Sequence, residues 1–439
     1  MAKRAAVVLA CLWLAGCGTA GPVADELTTF NEAQQKGNSQ LLLINILRAR
    51  EKQPLAFSRF DVLRGGIAAS SSLGLSVPFG AGSAANNTIA TGLGLAPGIS
   101  QDVKPQEDQD FYRGILTPVS EATWALYQDQ NWSQDLLFHL FVEDIKLSET
   151  DFETVKRNTD RICAEHGEVS DIALGCAALA DSRGEIARLG GGCKPLMHLV
   201  GGKPLLEMSN DPGDPCRLAQ FEAFTDALGI LGFRIGQVTT KSDIGPALGA
   251  SAFNDLKWPF ALKDSNVEIA RNGTSYQFRR VSSDYEVSLS NMPCPARANV
   301  AVAATSEIAA ELASSAAAPK VGDCADRAGL DIAITTRSPG GMIYYMGEVA
   351  RALLPLHPEQ APHAVMVRNA GGRKRALLAL VADEEPDAAT RVDYRGTTYS
   401  VPHGEGHLTM QAFELLQQVF ALYNRASTTP STTAVTVVP

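Results

Sequence analysis

Leu330-Asp-Ile-Ala-Ile-Thr-Thr-Arg337-Ser338-Pro339-Gly-Gly-Met-Ile-Tyr-Tyr-Met-Gly-Glu-Val-Ala-Arg-Ala-Leu-Leu354 is the stretch that decides the fold. Leu330 to Thr335 alternates apolar and polar residues, the period of a strand. Ser338 then offers a hydroxyl to cap a helix, and Pro339 suits its first position because that N–H has no helical partner. Met342, Ile343, Met346 and Val349 recur at helical spacing and predict a buried face ending near Leu354, before Pro355. A strand running straight into a capped helix, without a second parallel strand to follow, is the unit of a mixed fold.

The same signals extend outward. Downstream, strands are expected over 364–367 and 376–381, then a hairpin over 391–402 turning near Gly396, a helix over 409–424 and an edge strand over 434–438. Upstream, Phe221, Phe224, Leu228 and Leu231 predict a helix over 217–233, and strands are expected over 276–281 and 285–289. Residues 296–319, rich in Ala and Ser, read as a surface helix or a loop. Near the start, Leu41, Leu42, Ile44, Ile46 and Leu47 predict a helix closed by Arg48, Arg50 and Lys52, where cations complement the helix dipole. A strand is expected over 55–63. Short helices are expected around Phe111–Leu116 and after the hydroxyl caps Ser120 and Ser133. The sum is an α+β fold of mixed helices and antiparallel strands, with no regular βαβ order and no internal repeat.

Hydrophobic residues at 45% and charged residues at 20% describe a folded chain. The formal net charge of -10 argues against nucleic acid or an anionic surface as partner. The first residues place Lys3 and Arg4 before an apolar run that ends in Leu14-Ala15-Gly16-Cys17, the layout of a secretory signal. The last four residues resemble the lipobox of bacterial lipoproteins. That resemblance implies cleavage before Cys17 and lipidation of Cys17, so membrane lipid is the expected partner. Gly18, where an inner-membrane lipoprotein would show Asp, implies sorting to the outer membrane. Cys163, Cys176, Cys193, Cys216, Cys294 and Cys324 remain as an even set in an oxidising compartment and read as disulfides. Sequence does not fix their connectivity; nearest-neighbour pairing is the simplest expectation. The expected organisation is a signal over 1–16, a tether over 17–26 and an N-terminal α+β part over 27–150. A Cys-rich helical insertion over 151–216 and a C-terminal α+β part over 217–439 follow.

Three stretches, Gln40 to Arg50, Asp110 to Val119 continuing to Trp132–Leu137, and Arg337 to Val349 with the hairpin after it, resemble a broad group of proteobacterial outer-membrane lipoproteins of unknown function. The resemblance implies an envelope location, on the periplasmic or cell-surface side, and no assigned activity.

One segment differs in kind. From Gly65 to Gln101 there is no charged residue, and Gly, Ala, Ser and Asn dominate. Alternation over 67–79 and 88–99, around turn residues 80–87, reads as a hairpin. Leu73, Leu75, Val77, Phe79, Ile89, Leu93 and Leu95 form its apolar side. Three fates stay open: crossing a bilayer in a barrel shared by several copies, packing on the soluble body, or forming a Gly/Ser-rich loop.

Chemistry-bearing motifs are sparse. His403-Gly-Glu-Gly-His407 has metal-ligand spacing, but Pro402 and two glycines oppose the helix that would put both imidazoles on one face. No nucleophile elbow, phosphate loop or deaminase motif is present. The expectation is a non-enzymatic assembly or interaction component of the envelope, without a cofactor. An oligomeric pore-forming lipoprotein comes second and an envelope enzyme third.

Overall fold

The computed structural model describes residues 20–69, 95–105, 109–166, 170–200, 203–249, 251, 253, 267–292, 297–302, 330–357, 362–369, 372–383, 385–404 and 406–423. Helices and mainly antiparallel strands share one hydrophobic core, an α+β fold as the patterning predicts. Among the described residues, no helix is long and apolar enough to cross a membrane.

The decisive stretch folds as read. Strand β10 (Asp331–Thr336) buries Ile332 and Ile334 and leads into a helix, Pro339–Leu353, whose first turn is capped by Ser338 Oγ accepting from Gly341 N at 3.1 Å. Met342, Ile343, Met346 and Val349 are all buried. β10 sits inside an eight-stranded sheet with the order β4 (Leu196–Val200), β5 (Lys203–Ser209), β3 (Val142–Ser148), β10, β9 (Arg297–Val302), β8 (Ser275–Leu289), β6 (Phe233–Gly249), with β7 (Val267–Asn272) added on β8. It pairs antiparallel with β3 and parallel with β9, the one parallel pairing of this sheet among the described residues. β9 replaces the helix or loop expected over 296–319 in its first residues; its backbone completes the ladder beside β10, so tertiary pairing overrides an Ala-rich local preference.

The N-terminal helix is longer than its apolar cluster suggests. It runs Ala20–Arg50, so most of the expected tether is already helical. Its C-terminal half is buried through Leu42, Leu43, Ile46, Leu47 and Ala49, whereas residues 31–33, 35 and 36 are exposed. Lys52 closes it in the left-handed conformation at φ 58°, its N–H bonding Ala49 O at 2.9 Å. This helix packs on Pro339–Leu353 where a Cβ on Gly347 would stand 2.5 Å from Ala49 Cβ. The two C-terminal ends are laced together. Arg50 donates from Nη2 to Leu354 O at 2.7 Å, and Arg351 donates back to Arg50 O. These bonds satisfy carbonyls that a helix end leaves without partners.

The hairpin of β13 (Ala388–Tyr394) and β14 (Thr397–Pro402) turns through Arg395 and Gly396, both at positive φ (52° and 79°), the geometry of a tight hairpin loop. The terminal helix is His407–Tyr423. The strand expected over 364–367 is the short Met366–Arg368; of that expected over 376–381 only Ala376 is in a strand, Lys374–Ala376, and Val381 makes an isolated bridge to Ser400. The expected edge strand over 434–438 lies outside the described residues.

The Cys-rich stretch is not purely helical. Helices Glu149–His166 and Ser170–Leu189 are followed by a hairpin of β4 (Leu196–Val200) and β5 (Lys203–Ser209). β5 pairs with β3, so this stretch supplies one edge of the main sheet. Met208 and Leu206, buried on β5, tie it to the core. Next comes the helix Pro215–Ile230, capped by Asp214.

The strands expected over 276–281 and 285–289 are one strand, β8 (Ser275–Leu289), paired with the longer β6 (Phe233–Gly249) and with β7 (Val267–Asn272). Phe233, Ile235, Val287 and Leu289 anchor this ribbon in the core; beyond Ile235, no residue of β6 is buried.

Candidate functional site

A cluster of buried polar groups lies inside the body, around a helix whose residues 136–141 are all buried. Gln134–Phe141 places Leu136, Leu137, Phe138, Leu140 and Phe141 in the core, and with them His139, which has no exposed surface. Its start does not use the expected hydroxyl cap. Ser133 Oγ instead donates to Arg368 O at 2.7 Å, which fixes strand Met366–Arg368 against the helix.

His139 faces two carboxylates. Asp135, one turn earlier on the same helix, approaches Nδ1 at 3.2 Å, and Glu222 on the helix Pro215–Ile230 approaches Nε2 at 3.8 Å. Nδ1 also lies 2.8 Å from Asp135 O. Burial alone would pull the imidazole down, but Asp135 and then Glu222 outweigh it and hold His139 up at about 10. It is therefore an imidazolium at neutral pH. Burial likewise works against ionised Asp135, but His139 and the Arg368 N–H, at 2.6 Å, keep its carboxyl below the usual range.

A second charge pair adjoins the first. Arg368 Nη1 donates to Asp226 Oδ1 at 2.6 Å and its Nη2 to Ala178 O at 3.0 Å. Ser182 Oγ donates to the other Asp226 oxygen at 2.7 Å. Burial and the neighbouring Asp135 nonetheless push Asp226 up to about 7. Glu222 and Asp226 are one helical turn apart, so three carboxylates and two cations converge where three helices and a short strand meet.

The third part is Arg337, directly after β10. Its guanidinium is buried and donates Nη1 to His139 O at 2.9 Å and to Val142 O, and Nη2 to Asn210 O at 2.8 Å. Asn210 Nδ2 reaches the same two carbonyls, His139 O and Val142 O, at 2.8 and 2.9 Å. Arg337 stacks on Tyr345 with its central carbon 3.9 Å from the ring centroid. Burial pulls the guanidinium below its ordinary value and lifts the Tyr345 phenol above its own.

Chemically this junction clamps elements together. The Arg337 and Arg368 forks are spent on carbonyls and a carboxylate, and Ser182 is bonded to Asp226, away from His139. It ties the helix Gln134–Phe141, β3, β10 and the stapled stretch to one another.

The expected ligand residues fall elsewhere. His403 is exposed on the turn after β14, 3.8 Å from Asp387, and His407 is the exposed first residue of the last helix. They do not share a helical turn, and no group of three metal-type ligands occurs among the described residues. Cys163–Cys176 and Cys193–Cys216 form disulfides with Cα separations of 5.7 and 5.4 Å. Cys294, Cys324 and Cys17 lie outside the described residues, as do Leu73, Leu75, Val77, Phe79, Ile89 and Leu93. Leu95 opens β2 (Leu95–Pro105), opposite Ala69 at the end of β1 (Ser58–Ala69).

Patterning passed over Asp135, His139, Glu222, Asp226, Arg337 and Arg368. The signal that could have found them is charge in the wrong place: Asp135/His139 and Glu222/Asp226 are i,i+4 pairs within otherwise apolar helical faces. Compared with known proteins, the chain matches no family model, no curated protein and no solved structure.

Proposed function

We propose that this chain is an outer-membrane-anchored periplasmic lipoprotein, held by lipid on Cys17, that serves as a non-enzymatic assembly or interaction component of the envelope. The observation that carries this reading is the N-terminal helix. It starts three residues after Cys17, and residues 31–33, 35 and 36 are exposed before the helix enters the core at Ser39. Residues 31–38, at 1.5 Å of rise each, put roughly 12 Å of largely exposed helix ahead of the point where it enters the core. On this reading that exposed stretch lies on the anchor side of the body. Cys17→Ser tests the reading: the variant should leave the membrane fraction or stop being processed. Normal membrane retention would overturn the anchor.

A second reading has its own support. β1 and β2 form an antiparallel ladder from Ser58/Pro105 to Ala69/Leu95, and among the described strands each pairs only with the other. A two-stranded ladder with two open edges is the piece that copies of a chain would pool into a closed barrel. On this reading the chain is an oligomeric pore-forming lipoprotein. Native mass measurement of the detergent-extracted protein tests it; a monomer removes the pore.

A further inference from the structure

The stapled stretch holds a half-open cavity of about 220 Å³ that neither reading above uses. Its walls come from the two helices Glu149–His166 and Ser170–Leu189, the helix Pro215–Ile230, and β5. Phe152, Val155, Leu179, Ile186, Met208 and Phe224 make the lining almost wholly apolar. The two charged residues that line it are both basic, Lys156 and Arg183. Their side chains are 50% and 42% exposed, so they stand at the mouth while the aliphatic and aromatic groups stand behind them.

Two disulfides hold the walls. Cys163–Cys176 joins the first helix to the second, and Cys193–Cys216 joins the link after the second to the first turn of the third. Cys193 itself lines the cavity. Such a space would ordinarily be closed by larger side chains, because a void forfeits contacts on every wall. Here the helix facing it presents Ala223 and Ala227, and two cross-links brace the walls around the gap.

We propose that this cavity binds a free straight-chain carboxylate of medium length, its tail inside and its carboxylate between Lys156 and Arg183. The N–H donors of Lys156 and Arg183 favour a carboxylate head, with Glu153 and Asp160 offsetting part of their charge. The cavity's size suits one straight tail rather than the two longer tails of a phospholipid. Asp160 holds Arg183 at 2.6 Å and Glu153 lies 3.9 Å from Lys156, so both cations are already positioned and the ligand joins existing pairs.

The test uses the full chain carrying Cys17→Ser, purified without detergent, and titration calorimetry with octanoate. Octanoate should bind saturably, at one site, at least tenfold more tightly than butanoate, and octan-1-ol should bind more weakly than octanoate. Lys156→Glu and Arg183→Glu should each weaken octanoate at least fivefold, and Ala223→Phe, which fills the cavity, should remove binding. Lys156 is half exposed, so its variant keeps the measurement decisive if the Ala223 variant does not fold. Absence of saturable binding, equal affinity for butanoate, an unchanged constant in the Lys156 and Arg183 variants, or octanoate displaced by phosphatidylglycerol vesicles at equal acyl-chain concentration would each overturn the proposal.

Discussion

The buried junction and the β6–β8–β7 ribbon use the same side-chain chemistry to opposite effect. In the junction, Arg368 meets Asp226 at 2.6 Å with both side chains at least five-sixths buried; on the ribbon, Lys241 meets Glu268 and Arg279 meets Asp243, each at 2.8 Å, in water. Distance alone would rank the pairs as equals. Desolvation separates them: removing one partner of a buried pair strands the other in a medium that cannot solvate it, whereas water replaces a lost surface partner at once. The junction therefore fixes the body, and the ribbon's charges keep an exposed ladder soluble and its edges unattractive to other strands.

The largest expected effect is at Arg337. Arg337→Ala leaves the carbonyls of His139, Val142 and Asn210 short of donors, though Asn210 Nδ2 still serves the first two. A loss of about 3–5 kcal/mol in urea unfolding is expected, from unpaired buried groups and the lost stack on Tyr345. Arg337→Lys should recover only part of it, since an ammonium cannot span the fork. A loss below 1 kcal/mol would erase the contrast between junction and ribbon.

Next is Gly347→Ala. The added Cβ would meet Ala49 Cβ at 2.5 Å and Ala49 C and Arg50 N at 2.7 Å, so the two helices must separate. A destabilisation of about 1–3 kcal/mol is expected by thermal unfolding. Ala49→Gly should recover only part, because the backbone contacts remain.

The contrast also has a pH signature. His139 is raised to about 10 in the fold from an ordinary 6.5, so its stabilisation is complete below 6.5 and is lost as pH rises through 10. Asp226, raised to about 7, works in a lower window: its protonated form favours the fold, so stability falls as pH climbs from 3.8 towards 7. Asp135 has the opposite sign, contributing above its unfolded value and losing that contribution as pH falls through its lowered folded one. Unfolding midpoints should therefore drop between pH 7 and 10, and His139→Gln should flatten that limb. An unchanged alkaline limb in the variant would detach the slope from His139.

The smallest effect belongs to the ribbon. Lys241→Ala should change stability by no more than about 0.5 kcal/mol in moderate salt. A loss above 1 kcal/mol would place the ribbon in a contact with the rest of the fold.

Much of the fold was legible because it is written in short-range signals. Ser338-Pro339 before Met342, Ile343 and Met346 marks a helix start whatever surrounds it, since cap and period act within two turns. The turn at Gly396 is legible for the same reason. Several features escaped, among them the sheet strands β3, β6 and β7, for which no strand was expected. β9 carries no strand signal of its own and exists because β10 and β8 flank it. β4 and β5 were hidden in a stretch read as helical, their pairing with each other and with β3 being invisible to local pattern. The junction escaped because its members come from residues 135, 139, 182, 222, 226, 337 and 368, with no motif to join them.

By itself, the sequence determined the α+β class and most helix positions, because apolar period, capping and short loops are local properties of a chain; it left the cysteine connectivity open, and the fold supplied Cys163–Cys176 and Cys193–Cys216. Only the tertiary structure decided the strand order, the meeting of Gly347 with Ala49, and which charges are buried. Those depend on contacts between residues hundreds of positions apart. A histidine's charge at neutral pH is set by the two carboxylates and the missing water around it, and that environment exists only after the helices have packed.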